Sequence, residues 1–269
     1  MKKSGRSTQL SRWHDNSMKF SEHPDAPDIE SSTQAYRNRF SGDVGAWFLE
    51  IQSDITREIV TSLSQRLGRP LKVLDAGGGH GQNIDVVLKG GHSLTILGSN
   101  ENCSQLLPDA VSGELKFVVG SLNSMPFDDA EFDLVLSYRI MAHISDWRAY
   151  LRELARVSRY NVAIDYPTYR SFNFLSVLLY GFKKNIEKNT REFRLFSEKE
   201  LRPALQSSGL KPSKRYPQFF FPMALHRAIQ NVQTVRMLEG LASSLLLRRF
   251  FGSPVIVSFD VANSESDES

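Results

Sequence analysis

One stretch limits the possible folds more than any other: Val73-Leu74-Asp75-Ala76-Gly77-Gly78-Gly79-His80-Gly81-Gln82-Asn83. A short apolar run ends in an acid, and glycines then lead into a helix-forming segment. Such a turn lets the main chain approach a ligand closely, and free N–H groups at the helix start favour negative charge. Spacing excludes two phosphate cradles. The pattern G-x-G-x-x-G, started at Gly77, needs glycine at 82, where Gln82 stands. A P-loop needs Gly-Lys-Ser/Thr, and the stretch has no lysine.

Around this loop the hydrophobic pattern alternates. Apolar residues from Phe40 through Val44, Trp47, Phe48, Ile51, Ile55, Ile59, Val60 and Leu63 follow the helical period, and Gly68-Arg69-Pro70 stops them. The pattern then predicts strands over 71–74, 93–97, 115–119, 132–137 and 161–165, with helices over 82–88, around 104–107 and over 146–157. Repeated β-turn-α units imply an α/β fold: a doubly wound, mostly parallel sheet with helices on both faces. Ligands of such sheets sit beyond the carboxyl ends of the strands. That directs attention to the residues after Leu74, Leu97, Val119 and Leu136.

Composition is that of a globular chain, with 41% apolar and 23% charged residues, which excludes collagen-like, coiled-coil and wholly disordered readings. One cysteine, Cys103, leaves no intramolecular disulfide and no cysteine-rich zinc site. No metal is expected. A net charge of +3 is too small to argue for nucleic acid. Charge is uneven, however: residues 183–249 hold 14 basic and 5 acidic side chains. Either that block is a set of solvated helix faces, or it attracts an anionic acceptor or an anionic membrane surface. No signal peptide or spanning segment is visible, so a cytoplasmic protein is expected.

Asp-x-Gly-x-Gly-x-Gly after the first strand resembles the cofactor loop of class I S-adenosylmethionine-dependent methyltransferases. Residues 94–107 resemble that family's second strand and following helix. The segment 117–127 resembles its "GDAxxLPF" stretch, Phe132-Asp133-Leu134-Val135-Leu136-Ser137 its fourth strand, and Glu153-Leu154-Ala155-Arg156-Val157 its "ExxRV" helix. The resemblance runs from Leu71 to about Tyr166 and is closest to the small-molecule subgroup that includes ubiquinone- and menaquinone-type enzymes. It implies a seven-stranded sheet of Rossmann-like methyltransferase type.

The resemblance also implies roles. Asp75, Ala76, Gly77, Gly79, Gly81 and Asn83 would hold the methionine end of S-adenosylmethionine, or of its product S-adenosylhomocysteine. Glu101 would accept the ribose hydroxyls, with Ser99 as the alternative if the turn is aligned forwards from the strand. Ser121 stands where the family has an acid near the adenine, followed by Leu122, and Ser137 closes the fourth strand. Tyr138 and Arg139 would lie near the acceptor. His143 would act as the general base; the alternative is a packing histidine beneath the cofactor.

The expected organisation is a flexible lead-in over 1–35, a cofactor-binding core over 36–166, a helical cap over 167–250 bearing Arg227, Arg248 and Arg249, a final strand over 251–262 and an acidic tail. The expected activity is methylation of a small molecule, at oxygen before nitrogen or carbon, with a partly hydrophobic or anionic acceptor. RNA or protein methylation is the alternative within enzymes; a catalytically inactive cofactor-binding partner subunit is the alternative outside them.

Overall fold

The computed structural model describes residues 25–108, 114–169, 171 and 194–262. The apolar runs at 172–182 and the acidic tail lie outside the described residues.

Two short helices, α1 (Asp28–Ser31) and α2 (Gln34–Arg37), precede the long helix α3 (Gly42–Leu67). Its apolar stripe is buried at Val44, Trp47, Phe48, Ile59, Val60 and Leu63, and Gly68 ends it in the left-handed region at φ 64°. Then follow β1 (Lys72–Ala76), α4 (Ile84–Lys89), β2 (Ser93–Gly98), a 3₁₀ turn at Glu101–Ser104, β3 (Leu115–Val119) and β4 (Phe132–Ser137). Next come α5 (Trp147–Val157), capped by Asp146 through the Ala149 N–H, and β5 (Ser158–Tyr166). The second half contributes α6 (Glu198–Ser207), β6 (Leu210–Pro217), α7 (Met223–Ile229), α8 (Val232–Ser244), α9 (Leu247–Phe251) and β7 (Val255–Val261). Ser197 caps α6 by accepting the Glu200 N–H, as the Ser-x-x-Glu spacing predicts.

The seven strands form one sheet in the order β3-β2-β1-β4-β5-β7-β6. Strands β1 to β5 pair in parallel; β7 pairs antiparallel with both β5 and β6. Helices α5 and α6 cover one face, where Trp147, Tyr150, Leu151, Leu154, Leu201 and Leu205 are buried. Helices α3 and α4 cover the other through Ile59, Val60, Leu63, Ile84 and Val87. A smaller aromatic core of Trp47, Phe48 and Phe219 joins α3 to α8. The chain leaves β1 towards β2 on one side and reaches β4 on the other, so the carboxyl ends of β1 and β4 form the switch point that binds ligands in such sheets.

Two expectations need correction. The lead-in placed over 1–35 is structured from Asp25, and Asp28, Ser31 and Ser32 are buried. The region 167–250 is not a purely helical cap, because β6 is a strand of the main sheet. Its Lys-Pro-Ser-Lys-Arg-Tyr-Pro run hides it: most of its side chains are exposed, and proline is tolerated on an edge strand. β7 lies inside the sheet and β6 takes the edge.

Candidate active site

The glycine loop leaves β1 at the switch point. Gly77 has φ +81°, and a Cβ there would stand 2.7 Å from the Ile140 side chain; only glycine fits the conformation and the space. Asp75 is buried, and Asn83 Nδ2 donates to its Oδ2 at 2.8 Å. Burial pushes the Asp75 carboxyl up to about 6, against the opposing pull of the Asn83 hydrogen bond and the Arg139 charge. Asp165, at the end of β5, is likewise raised to about 6 by burial and accepts the Arg139 N–H.

Arg139 follows β4 with φ 63°, a left-handed conformation uncommon for arginine. Its guanidinium donates to His80 Nε2 at 3.1 Å, makes a short bond to Gln82 Oε1, and lies 4.7 Å above the Phe40 ring. Burial, followed by the Arg139 charge, lowers the His80 imidazole to about 3, so it is neutral at physiological pH. Arginine can only donate, but His80 Nε2 also lies 3.2 Å from the Gln82 Oε1 acceptor, so its two contacts call for opposite tautomers.

Five buried polar atoms around the loop have no hydrogen-bond partner among the described residues: Gln52 Nε2, His80 Nδ1, Gln82 Nε2, Arg139 Nε and Asn83 Oδ1. All five residues line one residual cavity beside Asp75 and Gly77. Buried polar groups are seldom left unpaired, so three orphaned donors, one orphaned acceptor and the His80 ring nitrogen in one place mark a candidate binding site. A larger surface groove, ≈ 990 Å³, runs along α3 and α4 instead and reaches the loop at His80, Gly81 and Gln82.

The structure brings Asp75, Gly77, Asn83, Tyr138 and Arg139 around this cavity. Ala76 lies beneath it, its carbonyl accepting from Tyr150 Oη at 3.3 Å. Gly79 faces Ser32, and Gly81 turns the chain at φ +73°. Ser137 is fully buried, and its hydroxyl pairs with Tyr150 Oη at 2.6 Å. The Tyr138 hydroxyl meets Thr56 Oγ1 at 3.2 Å under α3. Glu101 is exposed in the 3₁₀ turn, while Ser99, two residues earlier, is bonded to the Asp28 carboxylate. Ser121 is exposed and Leu122 buried. His143 is half-buried on the turn after β4, its N–H bonded to the Ile140 carbonyl at 2.9 Å.

Sequence reasoning missed Asp28, Gln52, His80, Gln82 and Asp165. His80 and Gln82 lie inside the loop it singled out. Asp165 ends a parallel strand, the position the strand-end rule picks out. Asp28 and Gln52 precede the sheet and carry no local signal.

The sheet order, with the glycine loop at its switch point, is that of the class I methyltransferase fold. Residues 74–163 match the family model described as "Methyltransferase domain". The chain is 32% identical over 112 residues to O-methyltransferase rstn1 of Aspergillus nomiae, covering 39% of this chain and 48% of that protein. It is 34% identical over 110 residues to a sarcosine/dimethylglycine N-methyltransferase of Halorhodospira halochloris, covering 39% of each. The chain thus spans under half the length of these curated relatives. Magnesium protoporphyrin IX methyltransferase from Synechocystis, solved with bound SAH, shares the fold at a TM-score of 0.57 and 14% identity, over 87% of this chain and 99% of that one.

Proposed function

We propose that this protein transfers the methyl group of S-adenosylmethionine to the oxygen of a small molecule. The observation that carries the reading is the set of orphaned atoms at the glycine loop. A free amino-acid group presents a carboxylate and an ammonium. Gln52, Gln82 and Arg139 offer unpaired donors to the first; Asp75 and Asn83 Oδ1 offer acceptors to the second. These residues fit the methionine end of that cofactor.

When bound, the cofactor supplies an already activated methyl group. The protein is left to align the acceptor, exclude water and receive a proton. In this reading the backbone at Gly77, Gly79 and Gly81 gives close approach, Leu122 gives an apolar wall, and His143 takes the acceptor's proton. Oxygen as the target is supported by the O-methyltransferase relative, while the N-methyltransferase relative is similar over a comparable length. The quinone-type subgroup rests on the sequence resemblance alone.

An amphipathic, anionic acceptor is supported by α8 and α9. Leu241, Leu245, Leu246, Phe250 and Phe251 are exposed there beside Arg248 and Arg249. Among the described residues no helix is long and apolar enough to cross a membrane. Calorimetry with S-adenosylhomocysteine tests the site. Saturable binding that is weakened at least tenfold in Gln82→Leu is expected, about 1.4 kcal/mol. Equal binding by both proteins would move the cofactor elsewhere.

A further inference from the structure

The space at the glycine loop is small. The cavity lined by Asp75, Gly77 and Arg139 measures ≈ 10 Å³, room for about one water molecule and far too little for a nucleoside joined to an amino acid. Residues 25–32 pack against the loop: a Cβ on Gly77 would stand 3.4 Å from Asp28 Cβ. Before α1, the Asp25 carboxylate accepts from Ser145 Oγ just before α5. The chain then enters α1, where Asp28 has no exposed surface.

Asp28 Oδ2 accepts the Ser99 N–H at 2.6 Å, and its Oδ1 accepts the Ser99 hydroxyl at 2.7 Å. The Cys103 thiol approaches Oδ2 at 3.4 Å, and burial raises that thiol to about 11, so it remains a neutral donor. Ser31 and Ser32 turn their hydroxyls back to the Asp28 carbonyl at 3.2 and 2.7 Å. Ser32 also lies against the loop: a Cβ on Gly79 would stand 1.9 Å from its hydroxyl. A carboxylate from outside the sheet is thus locked to the turn after β2, in the cleft where the cofactor has to enter.

We propose that residues 25–32 are a displaceable strap, latched by Asp28 on Ser99, and that cofactor entry requires the strap to leave the cleft. The proposal rests on reading the cleft as the S-adenosylmethionine site. A closed strap lowers apparent affinity by the fraction of molecules that are open. Breaking the latch then tightens binding, the opposite of what loss of a cofactor-holding residue does.

The test is calorimetry of the full chain with S-adenosylhomocysteine, on wild type, Asp28→Ala and the shape-conserving Asp28→Asn, with Glu101→Gln as the control for the ribose position. Hydrogen exchange of residues 28–33 is followed with and without ligand. Expected are binding at least tenfold tighter in Asp28→Ala and faster exchange of those amides when ligand is added. Weaker or unchanged binding in the Asp28 variants, with the strap more protected in the complex, overturns the latch and makes Asp28 a cofactor residue while leaving the site intact. Absence of binding by every protein overturns the site and the strap together. If Asp28→Ala does not fold, Asp28→Asn and the wild-type exchange data decide by the same signs.

Discussion

The Asp75 carboxylate and the Asn83 side-chain amide meet at 2.8 Å, and both residues are almost wholly buried at the carboxyl end of β1. That contact ties the penultimate residue of β1 to the residue that caps α4. It fixes the loop between them and leaves Asn83 Oδ1 without a partner. An ionised acid buried in this position weighs against the fold.

The acid limb of binding follows from that contact. Burial raises Asp75 from 3.8 to about 6, and a ligand ammonium binds the ionised form. Affinity for S-adenosylhomocysteine should rise with pH up to about 6 and level off above it, and Asp75→Asn should bind weakly with a flatter profile. Stability should run the other way. A raised carboxyl binds more protons in the native state than in the unfolded one, so its contribution falls as pH rises from about 4 to about 6. Asp75→Asn should therefore melt higher than wild type at pH 8. A lower melting temperature there would show that the ionised carboxylate supports the fold.

Arg156 should control the loop after β3. Its guanidinium donates to the carbonyls of Met125 and Phe127 and pairs with Glu153 and Asp129. Glu153 in turn accepts the Met125 N–H at 2.7 Å. Arg156→Leu removes several bonds, each worth about 0.5–1.5 kcal/mol net. Exchange of the 121–127 amides should quicken and cofactor affinity fall several-fold. Unchanged exchange would show that packing of Leu122 and Met125 holds the loop alone.

His143 should separate chemistry from binding. His143→Ala should lower kcat by about 10²–10⁴ if it takes the acceptor's proton, with cofactor affinity kept within twofold. His143→Gln would then stay inactive. Recovery of kcat by glutamine would assign the residue to packing.

Much of the sheet was legible because β1 to β4 are apolar runs bounded by glycine and polar turns; 115–119 and 132–137 read from the sequence coincide with β3 and β4. Strand β6 was not legible, since an edge strand with exposed lysines and prolines carries no apolar alternation. The glycine loop was legible from spacing. Its neighbours Asp28, Gln52 and Asp165 were not, because tertiary packing brings them there from three separate elements. Tyr150 shows the same limit: the sequence places it within the helix over 146–157 and gives no sign that its hydroxyl ties Ser137 to the Ala76 carbonyl.

Methyl transfer to a small molecule is tested by incubating the protein with methyl-labelled S-adenosylmethionine and a panel of hydroxyl, carboxyl and amine acceptors, with product masses read in parallel. Label is expected in a hydroxyl or carboxyl acceptor, with the rate falling at least tenfold in Asp75→Asn and in Gln82→Leu. Label found only in RNA or protein, or no transfer by a protein that binds S-adenosylmethionine at the loop, would contradict it.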